Sequence, residues 1–467
     1  MKRLFAALAG SLAALVGWGA APAHTTLSHP EWSRNAVIYE VNVRQYTPEG
    51  TFRAFSRHLP RLKELGADIL WLMPIHPISE VNRKGELGSY YAVADYKKVN
   101  PEFGSMEDFK ALVDSAHAAG IKVIIDWVPN HTGCDNPWVT QHPEYYKLDK
   151  DGKMYGPYDW TDVYQLDYSQ RATRSAMLDA MTFWLTETGI DGFRCDVAGM
   201  VPVDFWNEAR ASFDTAAGRP VFMLAEATEP ELAEHAFDMV YNWPMKDLFS
   251  HIAASAGRYS FGSGKPNFPA KNAADIDSLV ASQAATYPAD SYMMNMTSNH
   301  DLNSWEGTEF ERLGDFAPAF AAISYILPGM PLIYTGQEAG LDRALEFFKK
   351  DIAPQWEPRN RHFEFYRNLN ALKHRRTELA AGEKGGRFVA VKTSSPNVVA
   401  FKRVLGRKAT LIAANLGAEP TRPFACDKCA ASAVEGAVDA FSGEKPAEVN
   451  PELKPGEYIL YTIDSNE

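Results

Sequence analysis

The chain has 467 residues, with 59 acidic against 47 basic side chains, so its formal net charge is −12 when histidine is neutral. This acidic balance argues against nucleic acid or an anionic membrane surface as the main partner. Hydrophobic residues make up 46% and charged residues 23%, which is typical of a folded globular protein. Because chains beyond ~300 residues usually divide, we expect one large domain and one smaller domain.

The beginning of the chain predicts a secretory signal peptide over residues 1–23. Lys2 and Arg3 form a basic start, residues 4–16 form an uncharged apolar run, and residues 21–23 form a small-residue cleavage site of sequence Ala-Pro-Ala. We therefore expect a periplasmic or secreted mature protein, the alternative being an uncleaved anchor. No other stretch approaches the ~20 uncharged apolar residues of a membrane span.

After this segment, short apolar runs alternate with amphipathic stretches, which is the pattern of a parallel sheet wrapped by helices. One helix is explicit, because Ser105 and Asp108 resemble a capping box and Gly120 follows the last turn. Eight runs are predicted as strands, over residues 37–43, 69–73, 122–126, 190–195, 221–225, 239–241, 292–296 and 331–334. Eight strands with helices between them predict a (β/α)₈ TIM barrel over residues 24–382.

Two further segments depart from this alternation. Residues 130–170 are too many for a βα loop, which usually has ~2–6 residues, so they predict a small subdomain inserted after the third strand. Its aromatic residues fit either a groove lining or the subdomain's own core: Trp138, Tyr145, Tyr146, Tyr158 and Trp160. Residues 383–467 contain short β runs without helices between them, at 387–393, 398–404, 410–415 and 457–463, which predict a C-terminal antiparallel β-sandwich domain.

The four cysteines give one structural prediction. Cys426 and Cys429 form a C-x-x-C pair that an exported protein could oxidise to a disulfide. With no second pair and no nearby histidine, the motif is a weak indication of zinc or of a redox centre. We therefore expect a structural disulfide here.

Polar residues follow four of the predicted strands, where a barrel of this type carries its reacting groups. Arg194 and Asp196 are two apart on the fourth strand and should share one face, so the guanidinium would hold the carboxylate ionised. Glu226 follows the fifth strand, and His300 and Asp301 follow the seventh. Three carboxylates are therefore expected at one mouth of the barrel.

At these positions the sequence resembles the α-amylase family of glycoside hydrolases. The similar segments are Asp-Trp-Val-Pro-Asn-His at 126–131, Gly-Phe-Arg-Cys-Asp-Val-Ala at 192–198, Glu226 after its apolar strand, and Asn-His-Asp at 299–301. Residues 329–338, Gly-Met-Pro-Leu-Ile-Tyr-Thr-Gly-Gln-Glu, resemble that family's last barrel strand. The order of the segments agrees, and the resemblance extends from about Asn35 to the C-terminal domain.

The resemblance implies that Asp196 is the nucleophile, Glu226 the general acid and base, and Asp301 the carboxylate that holds and distorts the sugar. Glycoside hydrolysis needs one ionised and one protonated carboxyl group. We expect Arg194 to lower the pKa of Asp196. Glu226 follows an apolar run and has no adjacent cation in sequence, so desolvation should raise its pKa. A strand-end aspartate can also be a simple helix cap, but three together favour catalysis.

The same resemblance implies supporting residues. Arg194 would orient Asp196, with Asp126 as a structural aspartate beside it. His131 and His300 would bind hydroxyl groups of the sugar, although either could be a core histidine instead. Tyr91 matches the aromatic residue on which that sugar stacks, with the adjacent Tyr90 as the competing choice.

A calcium site is less certain from the sequence. Many α-amylases carry a Lys-His pair shortly after the nucleophile, whereas Val197-Ala198-Gly199-Met200 follows Asp196 here. Asn130 still matches a common calcium ligand of the family. Calcium is therefore a possible cofactor, and the residues of a metal site are unknown.

The resulting expectation is a retaining hydrolase of α-1,4-glucosidic bonds in starch, maltodextrins or related α-glucans, most simply an α-amylase. A maltodextrin α-glucosidase, a cyclomaltodextrin hydrolase or a glucan transferase would use the same catalytic residues. A catalytically silent, glycan-binding subunit of the same fold is the non-enzymatic alternative, but it predicts the loss of a carboxylate. Endo or exo action, chain-length preference and oligomeric state stay open.

Overall fold

The computed structural model describes residues 27–262, 267–351 and 355–464, so the predicted signal peptide lies outside the described residues. The strands, in chain order, are β1 Ile38–Val41, β2 Ile69–Leu72, β3 Lys122–Trp127, β4 His131–Gly133, β5 Val163–Gln165, β6 Gly192–Cys195, β7 Phe222–Ala225, β8 Met239–Tyr241, β9 Tyr292–Asn295, β10 Met330–Tyr334, β11 Arg387–Ala390, β12 Val398–Leu405, β13 Lys408–Asn415, β14 Ala437–Asp439 and β15 Tyr458–Asp464.

Eight of these strands close a parallel barrel in the order β1-β10-β9-β8-β7-β6-β3-β2. Each of the eight predicted runs supplies one barrel strand, so the predicted (β/α)₈ barrel is confirmed. The ladder is continuous around the ring. For example, β3 pairs with β6 through Asp126 and Arg194.

The helices are α1 Val43–Tyr46, α2 Phe52–Ser56, α3 Leu59–Leu65, α4 Met106–Ala118, α5 Pro137–Gln141, α6 Arg171–Glu187, α7 Val203–Ala217, α8 Leu232–His235, α9 Trp243–Ser255, α10 Ala274–Thr286, α11 Glu309–Leu313, α12 Ala317–Ile326, α13 Arg361–Arg375 and α14 Asp427–Ala433. The predicted capping box of Ser105 and Asp108 opens α4. Within the described ranges, no helix combines the length and the apolar character needed to cross a membrane.

The alternation of side chains along the barrel strands produces two cores. Trp71 and Leu224 belong to a cluster inside the barrel, whereas their neighbours Leu72 and Met223 belong to the larger cluster that includes residues of the surrounding helices. All four side chains are fully buried. Because side chains two apart share a face, the inward rows also carry polar groups to the C-terminal end of the barrel, and these groups form the site described below.

The inserted segment forms a small unit against that end of the barrel. Its strands β4 and β5 pair antiparallel, with His131 opposite Gln165. Tyr145 and Tyr146 are buried and belong to the main core, whereas Tyr158 is 74% exposed. The core interpretation therefore holds for Tyr145 and Tyr146.

The C-terminal strands form an antiparallel sheet of order β11-β12-β13-β15-β14, which confirms the predicted antiparallel β domain. Among the described residues this is one sheet. Helix α14 packs on it through a hydrophobic cluster that includes Leu411, Ala430 and Ile463. The expectation of no helices between the strands of this domain was wrong. Helix α14 and the short strand β14 both lie between the predicted runs at 410–415 and 457–463. Cys426 and Cys429 form a disulfide at the start of α14.

Candidate active site

A cavity of about 290 Å³ lies at the C-terminal end of the barrel strands. Six of the residues singled out from the sequence line it together: Tyr91, His131, Asp196, Glu226, His300 and Asp301. Asp196 follows β6, Glu226 follows β7 and Asp301 comes after β9. Three loops that are distant in sequence therefore bring three carboxyl groups into one space. The neighbouring Tyr90 is instead buried and donates a hydrogen bond to Asn42.

Arg194 lies behind the cavity wall and contacts three carboxyl groups at once. Its Nη1 is 2.9 Å from Asp126 Oδ1 and 3.1 Å from Asp196 Oδ1, and its Nη2 is 2.9 Å from Glu226 Oε2. The side chain is fully buried and is not part of the cavity lining. Arg194, which the sequence placed among the substrate-binding residues, therefore contacts three carboxyl groups and has no exposed surface in the cavity.

Aromatic side chains surround this guanidinium. Its Cζ lies 5.0 Å from the ring centre of Trp71, 5.8 Å from that of Tyr91 and 5.5 Å from that of Tyr241, distances at which a cation is attracted to an aromatic ring. Trp71 and Tyr91 also donate hydrogen bonds to Oδ2 of Asp126. Asp126 thus has the structural role expected for it, and Trp71 and Tyr241 are supporting residues that sequence reasoning missed.

Asp196 and Glu226 form a coupled pair. Burial and the neighbouring Glu226 carboxyl group raise the pKa of Asp196 well above its usual range, although Arg194 opposes the shift. The expected lowering of this pKa was wrong, because burial and the Glu226 carboxyl group outweigh the effect of Arg194. Glu226 has no adjacent cation in sequence, but the fold brings Arg194 to 2.9 Å from it. Both carboxyl groups contact the same guanidinium, so they lie close enough for the titration of Asp196 to depend on Glu226.

The carboxyl group of Glu226 is fixed through one oxygen. Its Oε2 accepts a hydrogen bond of 2.8 Å from the backbone N–H of Val197 and is the same atom that contacts Arg194. Val197 has φ of 37°, a left-handed conformation that is strained for a β-branched residue. The strained turn therefore directs an N–H group at Glu226 and leaves Oε1 free of both contacts.

His300 forms a second charged group, with a partner that the sequence analysis missed. Its Nδ1 lies 2.6 Å from Glu40 Oε1, and its Nε2 lies 2.7 Å from the hydroxyl of Tyr91. Burial opposes the charged ring, but the carboxylates of Asp301 and Glu40 raise the pKa of His300 to about 9. Glu40 is itself fully buried on β1. The signal for it was a single charged residue inside an otherwise apolar predicted strand.

His131 has the opposite electrostatic character. Burial lowers its pKa to about 4, so the ring is neutral at pH 7. Its ring lies 5.3 Å from Trp160, an aromatic residue of the inserted subdomain that also lines the cavity. For Trp160, then, the groove interpretation holds. A neutral ring can both donate and accept hydrogen bonds.

The remaining wall of the cavity comes from long loops, and sequence reasoning did not identify it. It consists of Lys84, Ser89, Asp162, Val163, Val197, Trp305, Phe347 and Phe348. Trp305 belongs to a π-helical turn over residues 302–306, directly after Asp301, and is 54% exposed. Apart from Val197, which lies in the motif at 192–198, these residues stand outside the strand-end motifs, so no local pattern marked them.

The surroundings of Asn130 do not fit a calcium ion. Its Oδ1 accepts a hydrogen bond from Gln165, and its amide nitrogen lies 3.3 Å from Nδ1 of His131. Neither partner is a carboxylate, the ligand that Ca²⁺ prefers. Over the described ranges there is no group of three or more His, Cys, Asp or Glu residues that could hold a metal ion.

Comparison with known proteins agrees with this geometry. The family model for the alpha-amylase catalytic domain matches residues 33–155 and 145–360. The chain is 27% identical over 410 residues to Alpha-amylase MalA of Haloarcula japonica, a match that covers 84% of this chain and 57% of that protein. It is 26% identical over 431 residues to the Cyclomaltodextrinase of a Bacillus species, covering 77% of this chain and 71% of the relative.

Among solved structures, an alpha-amylase from Lactobacillus plantarum superposes with a TM-score of 0.78 at 29% sequence identity, over 92% of this chain and 99% of that one. The family model spans most of the barrel, and the fold and the strand-end carboxyl groups agree with it. The chain therefore belongs to the alpha-amylase family of glycoside hydrolases.

Proposed function

We propose that this protein is a retaining glycoside hydrolase that cleaves α-1,4-glucosidic bonds of starch, maltodextrins or related glucans, most simply as an α-amylase. The observation that carries the proposal is that Asp196 and Glu226 line one cavity and contact the same guanidinium, that of Arg194, at 3.1 Å and 2.9 Å. An inverting enzyme keeps its two carboxyl groups ~6.5–9.5 Å apart to admit a water molecule. Two carboxyl groups held by neighbouring nitrogens of one guanidinium instead fit the shorter separation of ~5–5.5 Å in retaining enzymes, which favours retention.

In the first step, Glu226 donates its proton to the glycosidic oxygen while Asp196 attacks the anomeric carbon. The bond to the leaving sugar breaks, and a covalent bond between the glycosyl unit and Asp196 forms. This step needs the proton on Glu226 and the negative charge on Asp196, which lies beside Arg194.

In the second step, Glu226 accepts a proton from water, and the oxygen of that water attacks the anomeric carbon. The bond to Asp196 breaks, which returns both carboxyl groups to their starting state. Transfer to another sugar hydroxyl in place of water would give a glucan transferase, so the chemistry is common to the alternative activities.

The charge of the site suits the positive transition state. Asp162, Asp196, Glu226 and Asp301 line the cavity together with Lys84 and the protonated His300, and Glu40, Asp126 and Arg194 lie behind them. An excess of negative charge in a water-poor site stabilises a developing oxocarbenium ion. His131 can hydrogen-bond a sugar hydroxyl as a neutral ring, with Tyr91 as the stacking surface, whereas a sugar hydroxyl would reach His300 by displacing the Tyr91 hydroxyl from Nε2.

The competing functions differ in their products. Maltodextrin α-glucosidase, cyclomaltodextrin hydrolase and glucan transferase share these residues, and time-resolved product analysis on soluble starch and maltotriose separates them. A silent glycan-binding subunit is disfavoured because Asp196, Glu226 and Asp301 are all present in one cavity.

Replacement of the nucleophile tests the catalytic assignment. We expect Asp196→Asn to reduce kcat on soluble starch by more than ~10³-fold, because the amide cannot form the glycosyl-enzyme bond. Asp179→Asn, at an exposed ion pair with Lys97, is the control and should retain full activity. Turnover at the wild-type level in a folded Asp196→Asn protein would refute the assignment.

The pairing of His300 with Glu40 predicts a pH dependence of stability. The pKa of His300 is about 9, above its ordinary value of 6.5. This charge therefore contributes about 3 kcal/mol below pH 6.5, and that contribution is lost as the pH rises to 9. Glu40→Gln should lower the free energy of unfolding most near pH 6.5 and progressively less towards pH 9.

Chemical denaturation of wild type and Glu40→Gln across this pH range measures the difference directly. Glu364→Gln, on the surface of α13, serves as the control and should show no such convergence. A wild-type advantage that stays constant or grows with pH would contradict a protonated His300.

Calcium dependence can be tested by thermal unfolding. Because Asn130 is bonded to Gln165 and not to a carboxylate, we expect the same Tm with and without a chelator. Restoration of a higher Tm by Ca²⁺ after chelation would instead establish a calcium site.

We further propose that the protein is exported, on the basis of the signal-like sequence of residues 1–23. N-terminal sequencing of the protein secreted by its native host should begin at His24. A mature protein that still begins at Met1 would rule out cleavage.

A further inference from the structure

An ion pair joins two sides of the active-site cavity. Lys84 lies in the loop between β2 and α4, and Asp162 lies in the inserted subdomain just before β5. The Nζ of Lys84 is 3.1 Å from Asp162 Oδ1 and donates to the backbone oxygen of Asp159 at 3.5 Å. Both side chains of this Lys84–Asp162 bridge line the cavity that holds Asp196 and Glu226.

The loop that carries Lys84 is fixed at both ends. On one side, the N–H of Leu87 donates to the backbone oxygen of Phe348 at 2.9 Å. Gly85 has φ of 63°, and a Cβ there would collide with the Phe348 side chain. On the other side, Asp135 of the inserted subdomain accepts the N–H of Glu80 at 2.7 Å. The loop therefore connects the Phe348 wall to the inserted subdomain.

The burial of the bridge distinguishes it from an ordinary surface ion pair. The side chain of Asp162 is 5% exposed and that of Lys84 is 34% exposed. A carboxylate so far removed from water needs its cation, because a buried unpaired charge is costly, whereas a fully exposed pair contributes little. The bridge is therefore a fixed part of the wall.

The cavity wall is not the same on all sides. Residues after β2, β9 and β10 and from the inserted subdomain build it: Lys84, Trp160, Asp162, Trp305 and Phe348. Glu226 and Val197 mark the side of β6 and β7, and no described lining residue comes from the loop after β8. Since Glu226 protonates the leaving oxygen, the leaving part of the glucan would extend over the side of β6, β7 and β8, where fewer residues line the cavity. The opposite end of the sugar faces the bridge.

We propose that the Lys84–Asp162 bridge closes the cavity beyond the sugar bound at Asp196, so that the enzyme cleaves α-glucans from their non-reducing ends. This inference rests on the proposed function and specifies its substrate. A cavity of about 290 Å³ is at the small end of ligand sites, which suits a short glycone. Lys84 has three N–H donors, two of which face Asp162 and Asp159, so one N–H is left for a terminal hydroxyl.

A pair of substrates tests the closed end. One is the p-nitrophenyl glycoside of maltoheptaose with a free non-reducing end, and the other carries an acetal block on that end. The wild-type enzyme should cleave the blocked substrate roughly 100-fold more slowly, because the block clashes with the bridge. It should also release one short product from unmodified maltoheptaose at the earliest times. Equal rates on the two substrates would overturn the proposal.

Variants of the bridge assign the effect to these residues. Lys84→Met and Asp162→Asn should each raise cleavage of the blocked substrate by about 10-fold relative to wild type and broaden the early products. Lys271→Met removes a similar ion pair, with Asp275 at 2.8 Å and a lysine 37% exposed, and should change neither. Thermal unfolding of each variant shows whether it is folded. If Lys84→Met does not fold, Asp162→Asn provides the test.

The outcomes separate the two proposals. Bridge variants that fold and still exclude the blocked substrate would overturn the role of the bridge while leaving the hydrolase function intact. A wild-type protein that cleaves neither substrate, nor soluble starch, would overturn the proposed function and this inference with it.

Discussion

The site depends on one buried guanidinium that is shared by three carboxyl groups. Arg194 is removed from water and contacts Asp126, Asp196 and Glu226, so its charge can balance only one of them. A buried cation needs close partners, and three carboxyl groups around one cation cannot all ionise easily. Burial and the neighbouring Glu226 carboxyl group consequently raise the pKa of Asp196 in spite of Arg194.

The barrel explains how such a cluster can exist. Parallel strands present alternate side chains inward, and a closed ring brings their C-terminal ends together. Arg194 and Asp126 occupy paired positions on neighbouring strands, while Trp71 and Tyr241 extend the same interior rows. The aromatic side chains replace water around the guanidinium. The inward-facing hydrophobic core and the catalytic cluster are consequently neighbouring parts of the same packed barrel interior.

The loops around the cavity have a different task from the strand ends. The carboxyl groups determine that a glycosidic bond breaks, whereas the surrounding walls determine which part of a glucan can reach them. Relatives with different names, among them an alpha-amylase and a cyclomaltodextrinase, match this chain at similar identity. In this protein, the wall between the Phe348 segment and the inserted subdomain is continuous through Lys84 and Asp162.

The sequence by itself determined the eight barrel strands, the capping box of α4 and the strand-end residues Asp196, Glu226 and Asp301. These features are local, because the hydrophobic periodicity of a strand or helix and the position of its end are determined by neighbouring residues. Only the tertiary structure decided that Asp196 is buried beside Glu226, which reversed the expected pKa shift of Asp196, and that Glu40 pairs with His300 across 260 positions. Such contacts depend on barrel closure, which no short stretch of sequence encodes. The missed helix α14 has only seven residues, too few for a helical period to be recognised.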